Sequence, residues 1–444
     1  MDRVTTPPKL NREIARLAVP ALGALLAEPM FLLADTAIVG HLGVPQLAGV
    51  GLASTILTTA VGLSVFLAYG TTSQVARLLG AGNLRRALSL GMDGIHLAVG
   101  IGSVLGLVGI PAAGALVRAF GAETAATHHG TVYLLWSLAG LPGMLVVLAT
   151  TGVLRGLQDT RTPLLVAAVG AVVNVGLNLL LVLGFHWGVA GSAIGTAITQ
   201  NAMAATLVVV VTREAVAHGA NLRPDLGGIR GAGAAAVPLL VRTLALRVGI
   251  LATTVVAAKQ GQVALAGHQV VNTIWNFLAL GLDALAIAAQ ALTGKALGAG
   301  DAGEARRITD AMVRWSLLAG GSIGVIILIA HPFAGRLFTS DGTVQHAIGL
   351  ALIVVAVAQP VAGYVFLLDG VLIGAGDGKY LAWSGIAAVL VYLPFAVLVA
   401  LRAPGGAVGL LWLWITYTAV YLVARAVAQG LRYRRDAWLV TGGA

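Results

Sequence analysis

Two carboxylates, Glu28 and Asp35, stand inside a long apolar stretch that reads LLAEPMFLLADTAIVGHLG. An ionised side chain in hydrocarbon costs about 3–10 kcal/mol, so it is kept there only with a partner, a water-filled cavity or a function. A buried carboxyl group that is protonated in one conformation and ionised in another can carry a proton through a membrane protein. We predict this role for Asp35.

Three further residues are predicted to support Asp35. Pro20 removes a backbone donor near the start of the same helix and is expected to bend it. Asn174 and Asn178 lie one helical turn apart, where their amides can hydrogen-bond a neighbouring carboxylate. Amides between membrane helices also serve as packing contacts, and that alternative stays open for both residues.

Glu28 lies seven residues before Asp35 and therefore on a similar helix face. It is either a second proton carrier or half of an ion pair. Arg242 and Arg247 are themselves rare charges inside an apolar run, and an ion pair with Glu28 would form a latch that differs between conformations. We favour the latch.

Other polar and aromatic residues within the apolar runs are candidates for a substrate cavity. Amides can hydrogen-bond a solute, a carboxylate can act as its counter-charge, and an aromatic ring can stack on a flat cation. Packing, interface anchoring and ion pairing are the competing roles for the same residues. The candidates are Gln200, Asn201, Trp275, Asn276, Asp283 and Asp369.

The composition is that of an all-α integral membrane protein. Of the 444 residues 58% are apolar and 10% are charged, and the mean hydropathy is +0.93. The absence of cysteine excludes disulfides and thiolate metal sites. The net charge of +10 comes from loop arginines, so we expect a bilayer and a small organic solute as partners rather than nucleic acid. No enzyme activity, cofactor or metal is predicted, and the protein is expected to be monomeric.

Apolar runs separated by short polar breaks predict twelve transmembrane helices. Basic residues, from Arg3 to Arg435, concentrate in the N-terminus, the loops after even-numbered spans and the C-terminus. Both termini are therefore predicted to be cytoplasmic, in a multi-pass protein of the cell membrane. The predicted spans are about 14–39, 47–73, 89–113, 130–154, 163–184, 189–212, 236–258, 264–290, 311–331, 346–373, 381–402 and 407–430.

The two halves of the chain resemble each other at an offset of 218 residues, which places Val19-Pro20 on Val237-Pro238. Six spans per half is an even number, so the repeat is parallel. We predict two six-helix lobes with a V-shaped cleft between them, which is the architecture of an alternating-access transporter. The lobes are expected at residues 1–213 and 231–444, joined by a cytoplasmic linker at 214–230.

Several separated motifs resemble the multidrug and toxic compound extrusion (MATE) family, and within it the DinF-like branch. The motifs are LADTAIVGHLG, GTTSQVARLLGAGN, GVLRGLQDTRTP, LAGHQVVNTIWNF and GVLIGAGDGKYL. The resemblance implies antiport: export of amphipathic, mostly cationic compounds in exchange for protons or sodium ions. Asp35, Pro20 and Asn174 match that family's first-span acid, bending proline and fifth-span amide.

The chain departs from the resemblance at Asn178, where some relatives carry a second aspartate. Without a second carboxylate beside Asp35, a sodium cage has less charge and fewer oxygens, so proton coupling is favoured over sodium coupling. A sodium-coupled exporter of the same fold and a flippase for lipid-linked substrates are the alternatives.

Overall fold

The computed structural model describes residues 8–442, and these residues form helices and connecting turns without any β-strand. Twelve helical elements follow one another along the chain. They are α1 (Pro8–Gly40), α2 (Val44–Gly80), α3 (Leu84–Arg118), α4 (Thr124–Leu138 with Leu141–Gly156), α5 (Arg161–Gly184), α6 (Gly188–Ala217), α7 (Leu226–Lys259), α8 (Gln262–Gly298), α9 (Ala302–Leu337), α10 (Gly342–Gly374), α11 (Gly378–Arg402) and α12 (Gly406–Arg434).

Eleven of these helices in the described part of the chain are long and apolar enough to cross a bilayer. The two parts of α4 meet at an angle of 51° and together pass the same test, which gives up to twelve spans. The prediction of an all-α, multi-pass membrane protein is confirmed.

Most helices extend beyond their predicted spans, and some of them have a polar first turn that a side chain caps. α3 begins at Leu84, where the side chain of Asn83 accepts a hydrogen bond from the backbone N–H of Arg86. α9 begins at Ala302 in the same way, with the Asp301 side chain accepting from Glu304. Hydropathy detects only the part of a helix within hydrocarbon, so these polar turns were missed. Arg3, part of the predicted cytoplasmic charge, lies outside the described residues.

Several helices contain a break or a π-helical turn. α2 has a turn at Ser64 and Val65, and α4 is broken at Ala139 and Gly140. α5 ends in a π-helical turn over Leu179–Gly184, and α12 contains another over Tyr417–Leu422. Such π-turns are rare and occur frequently at functional sites.

Contacts divide the described chain into two compact units. The N-unit comprises residues 19–240, and the C-unit comprises residues 8–18 together with 241–442. The boundaries fall inside α1 and α7, within two residues of Pro20 and Pro238. Both α1 and α7 therefore contribute to both units. The lobe limits, the 218-residue offset and the cleft remain predictions.

Candidate functional site

Asp35 of α1 is buried in the N-unit, with 3% of its surface exposed. Its Oδ1 accepts a hydrogen bond of 2.8 Å from Nδ2 of Asn178, and its Oδ2 accepts one of 3.0 Å from the Thr196 hydroxyl. The Tyr133 hydroxyl is a further polar neighbour of the carboxylate. Asp35 forms no ion pair within residues 8–442. Its partners are therefore neutral.

Asn174 and Asn178 orient one another and Thr196. Nδ2 of Asn174 donates to the Thr196 hydroxyl at 3.0 Å, and Nδ2 of Asn178 also reaches the Asn174 carbonyl at 3.1 Å. The Oδ1 atoms of both asparagines are buried and have no hydrogen-bond partner within residues 8–442. The side chains of the site thus supply a carboxylate, a hydroxyl and two amide oxygens. The two amide oxygens can still accept hydrogen bonds.

The predicted grouping of Asp35 with Asn178 is present in the structure, and Asn174 joins it through Thr196. Sequence reasoning missed Thr196 and Tyr133. Hydroxyl residues are common in these helices, so no local signal distinguished them. Only the packing of α1 against α4, α5 and α6 selects them. The site lies where α5 changes to its π-turn, immediately after Asn178.

A second buried cluster surrounds Asp369 of α10 in the C-unit. Arg242 of α7 and Arg425 of α12 both donate to its Oδ2, and Nε2 of Gln429 donates to its Oδ1 at 2.6 Å. All of these side chains are buried. The carboxylate of Asp369 is therefore an ion-pair acceptor that joins three helices. Arg425 and Gln429 were missed, although their four-residue spacing on α12 was visible in the sequence.

The other cavity candidates are divided between the units. Gln200 and Asn201 belong to the N-unit, where Asn201 Nδ2 donates to the Ala139 carbonyl at 3.2 Å, at the break in α4. In the C-unit Trp275 is buried, Asn276 is exposed and Asp283 is half-buried. Their role in a substrate cavity stays a prediction.

The remaining predicted residues lie on α1 and α7. α1 is one helix through both Pro20 and Pro29. Glu28 and Arg247 present exposed surface, whereas Arg242 binds Asp369 within the C-unit. The bend at Pro20 and the latch stay predictions.

Acids inside apolar membrane helices commonly mark substrate pathways, ion pathways or proton relays, so the fold and the Asp35 site are those expected of a membrane transporter. The sequence profile of the MatE family matches the chain twice, over residues 20–180 and 238–398. The chain belongs to this family of multidrug transporters. Members of the family are transporters and not enzymes.

Curated relatives and solved structures agree with this assignment. The chain is 28% identical to the DNA damage-inducible protein F of Escherichia coli, over 96% of this chain and 92% of that protein. It is 30% identical to the chloroplastic Protein DETOXIFICATION 44 of Arabidopsis thaliana, over 76% of this chain and 66% of that protein. The fold matches the Vibrio cholerae MATE transporter VcmN with a TM-score of 0.87 and 22% identity, over 96% of this chain and 97% of that chain.

Proposed function

We propose that this protein is a secondary active antiporter that exports amphipathic, mostly cationic compounds in exchange for protons by alternating access. The observation that supports this proposal is the burial of the Asp35 carboxylate in an apolar helix among neutral partners. A permanent counter-ion would hold a carboxylate in its charged form, whereas neutral partners leave both forms accessible.

The Thr196 hydroxyl explains how the site accommodates both forms of Asp35. An ionised carboxylate accepts hydrogen bonds at both oxygens, as Asp35 does from Asn178 and Thr196. When Oδ2 takes up a proton it becomes a donor, and the Thr196 hydroxyl can rotate to accept that hydrogen bond. Nδ2 of Asn178 can only donate, so it continues to hold Oδ1. Proton uptake thus reorients the link from α1 to α6 and leaves the link to α5 in place.

The proton gradient is a sufficient energy source for this exchange. Each unit of pH difference supplies about 1.4 kcal/mol per proton, and each 100 mV of membrane potential supplies about 2.3 kcal/mol per charge. We place the protein in the cell membrane with both termini cytoplasmic. The transporter acts as a monomer without a cofactor or bound metal.

Flux measurements in proteoliposomes test the proposal. An imposed pH gradient is expected to drive counterflow of a fluorescent organic cation by the wild-type protein. Asp35→Asn removes the titrating group but keeps the shape, and we expect it to abolish proton-driven counterflow. Asp341→Asn is the matched control, because Asp341 lies outside the spans and asparagine also caps helices. Undiminished proton-driven counterflow by Asp35→Asn would refute the assignment.

One observation favours sodium as the second candidate ion. The unpartnered Oδ1 atoms of Asn174 and Asn178 supply two oxygens beside the carboxylate, and hard cations prefer oxygen ligands. Replacing sodium with choline at fixed pH and potential separates the two ions. Proton coupling predicts an unchanged flux, and sodium coupling predicts its loss.

A further inference from the structure

One face of α12 carries a continuous set of aromatic and polar side chains. Trp414, Tyr417, Tyr421, Arg425 and Gln429 follow one another at intervals of three or four residues, which places them on one face of the helix. All five are buried in the C-unit. We call this set the α12 column.

Aromatic rings of the column pack against one another and against a ring of α11. The ring centroids of Tyr417 and Tyr421 are 5.3 Å apart, and Tyr392 of α11 lies 5.6 Å from Tyr421. The guanidinium carbon of Arg425 is 5.8 Å from the Tyr421 ring centroid. The tyrosines and the arginine therefore share one small buried region.

Hydrogen-bond donors in this region lack acceptors. The hydroxyls of Tyr392 and Tyr421 and the indole Nε1 of Trp414 have no hydrogen-bond partner within residues 8–442. Tyr392 is 0% exposed and Tyr421 is 1% exposed, so bulk water does not satisfy them. An indole N–H can only donate, and a phenol donates readily. Unmet buried donors are costly, so the region requires an acceptor.

Within residues 8–442, Asp369 is not that acceptor, because neither tyrosine hydroxyl nor the Trp414 indole donates to it. Arg425 donates to its Oδ2, which also binds Arg242, and Gln429 occupies its Oδ1. The single carboxylate that Arg425 uses is thus shared with two other donors. A negatively charged acceptor beside Arg425 would satisfy the tyrosine hydroxyls and would be attracted by the guanidinium charge.

Gly249 of α7 packs closely against Tyr421. A methyl group at this position would lie 3.2 Å from Cζ of Tyr421 and 3.4 Å from its oxygen. A larger side chain would press on the ring and the hydroxyl, so the glycine allows α7 to approach Tyr421 this closely.

We propose that Arg425, Tyr421 and Tyr392 bind an anionic group in the C-unit, supplied either by a halide ion or by the carboxylate of an aromatic solute. Both groups are negatively charged, and both accept hydrogen bonds without donating any. The site is independent of Asp35, so it can be present whether or not protons drive transport.

Thermal unfolding of the purified protein in detergent tests the proposal. Sodium chloride and sodium benzoate are titrated separately, with ionic strength kept constant by sodium methanesulfonate. We expect a saturable rise in the unfolding temperature with at least one of them. Chloride alone supports an ion site, benzoate alone supports a solute site, and both support a site that accepts either. No saturable rise with either anion overturns the proposal.

Conservative variants locate the binding. The double variant Tyr392→Phe with Tyr421→Phe keeps both rings and the Arg425 ion pair, so it is expected to fold. Loss of hydrogen bonds to a charged ligand should weaken binding about tenfold to a hundredfold. Arg425→Gln should weaken it further. Tyr364→Phe of α10 removes a hydroxyl outside the proposed site and should bind as the wild type does. Wild-type affinity in the double variant also overturns the proposal.

Discussion

At the scale of single residues, the Thr196 hydroxyl is the group that we expect to follow the protonation of Asp35. Thr196→Val keeps the side-chain shape but removes the hydrogen bond to Oδ2. A hydrogen bond to a charged group contributes about 1.5–3 kcal/mol, so we predict a fall of about tenfold or more in proton-driven flux. Proteoliposome flux at a fixed pH gradient measures this. Thr196→Ser retains the hydroxyl and should remain close to wild type. Equal rates for the valine and serine variants would contradict the role of Thr196.

Asp369, a buried acid of the C-unit, is predicted to matter for stability. Asp369→Asn leaves Arg242 and Arg425 without this carboxylate, and removing one partner of a buried ion pair typically costs about 3–5 kcal/mol. We expect a clearly lower unfolding temperature in detergent. Asp377→Asn breaks the more exposed ion pair with Arg432 and should cost about 1 kcal/mol or less. Similar losses in the two variants would show that the Asp369 cluster is not a stabilising ion pair.

At the scale of elements, α8 and α10 approach each other at a glycine. A methyl group at Gly370 would lie 2.2 Å from the backbone oxygen of Ala286, and a backbone atom cannot move aside as a flexible side chain can. Gly370→Ala is therefore predicted to destabilise the protein by about 1–3 kcal/mol. Thermal unfolding measures this. Gly321→Ala of α9 is the control, because a methyl group there meets nothing within 4 Å. An unfolding temperature for Gly370→Ala equal to that of the control would show that the contact is not tight.

At the scale of the whole molecule, the charge distribution predicts the orientation in the membrane. The sequence contains no cysteine, so single cysteines can be introduced as unique labels. His218→Cys lies in the exposed connection between α6 and α7, and Glu123→Cys lies in the exposed connection between α3 and α4. A membrane-impermeant maleimide should label Glu123→Cys in intact cells and His218→Cys only after permeabilisation. The reverse pattern would place both termini outside.

The sequence by itself determined the class of protein, an all-α membrane protein, and the number of its helices. Hydrocarbon requires about twenty apolar residues per span and penalises charge, so hydropathy and the isolated acids were visible without any tertiary contact. It also indicated Asp35, Asn174 and Asn178, because polar residues in apolar helices stand out.

Only the tertiary structure decided what each acid contacts. Asn178 and Thr196 contact Asp35 although they lie 143 and 161 residues away in the sequence. No local sequence pattern predicts a contact between residues so far apart. Asp369 was a candidate substrate counter-charge with ion pairing as the competing role, and packing places Arg242, Arg425 and Gln429 on it. Two carboxylates of similar sequence context thus differ because helix packing gives one neutral partners and the other cationic ones. Neutral and cationic partners differ in which protonation state of a carboxylate they favour.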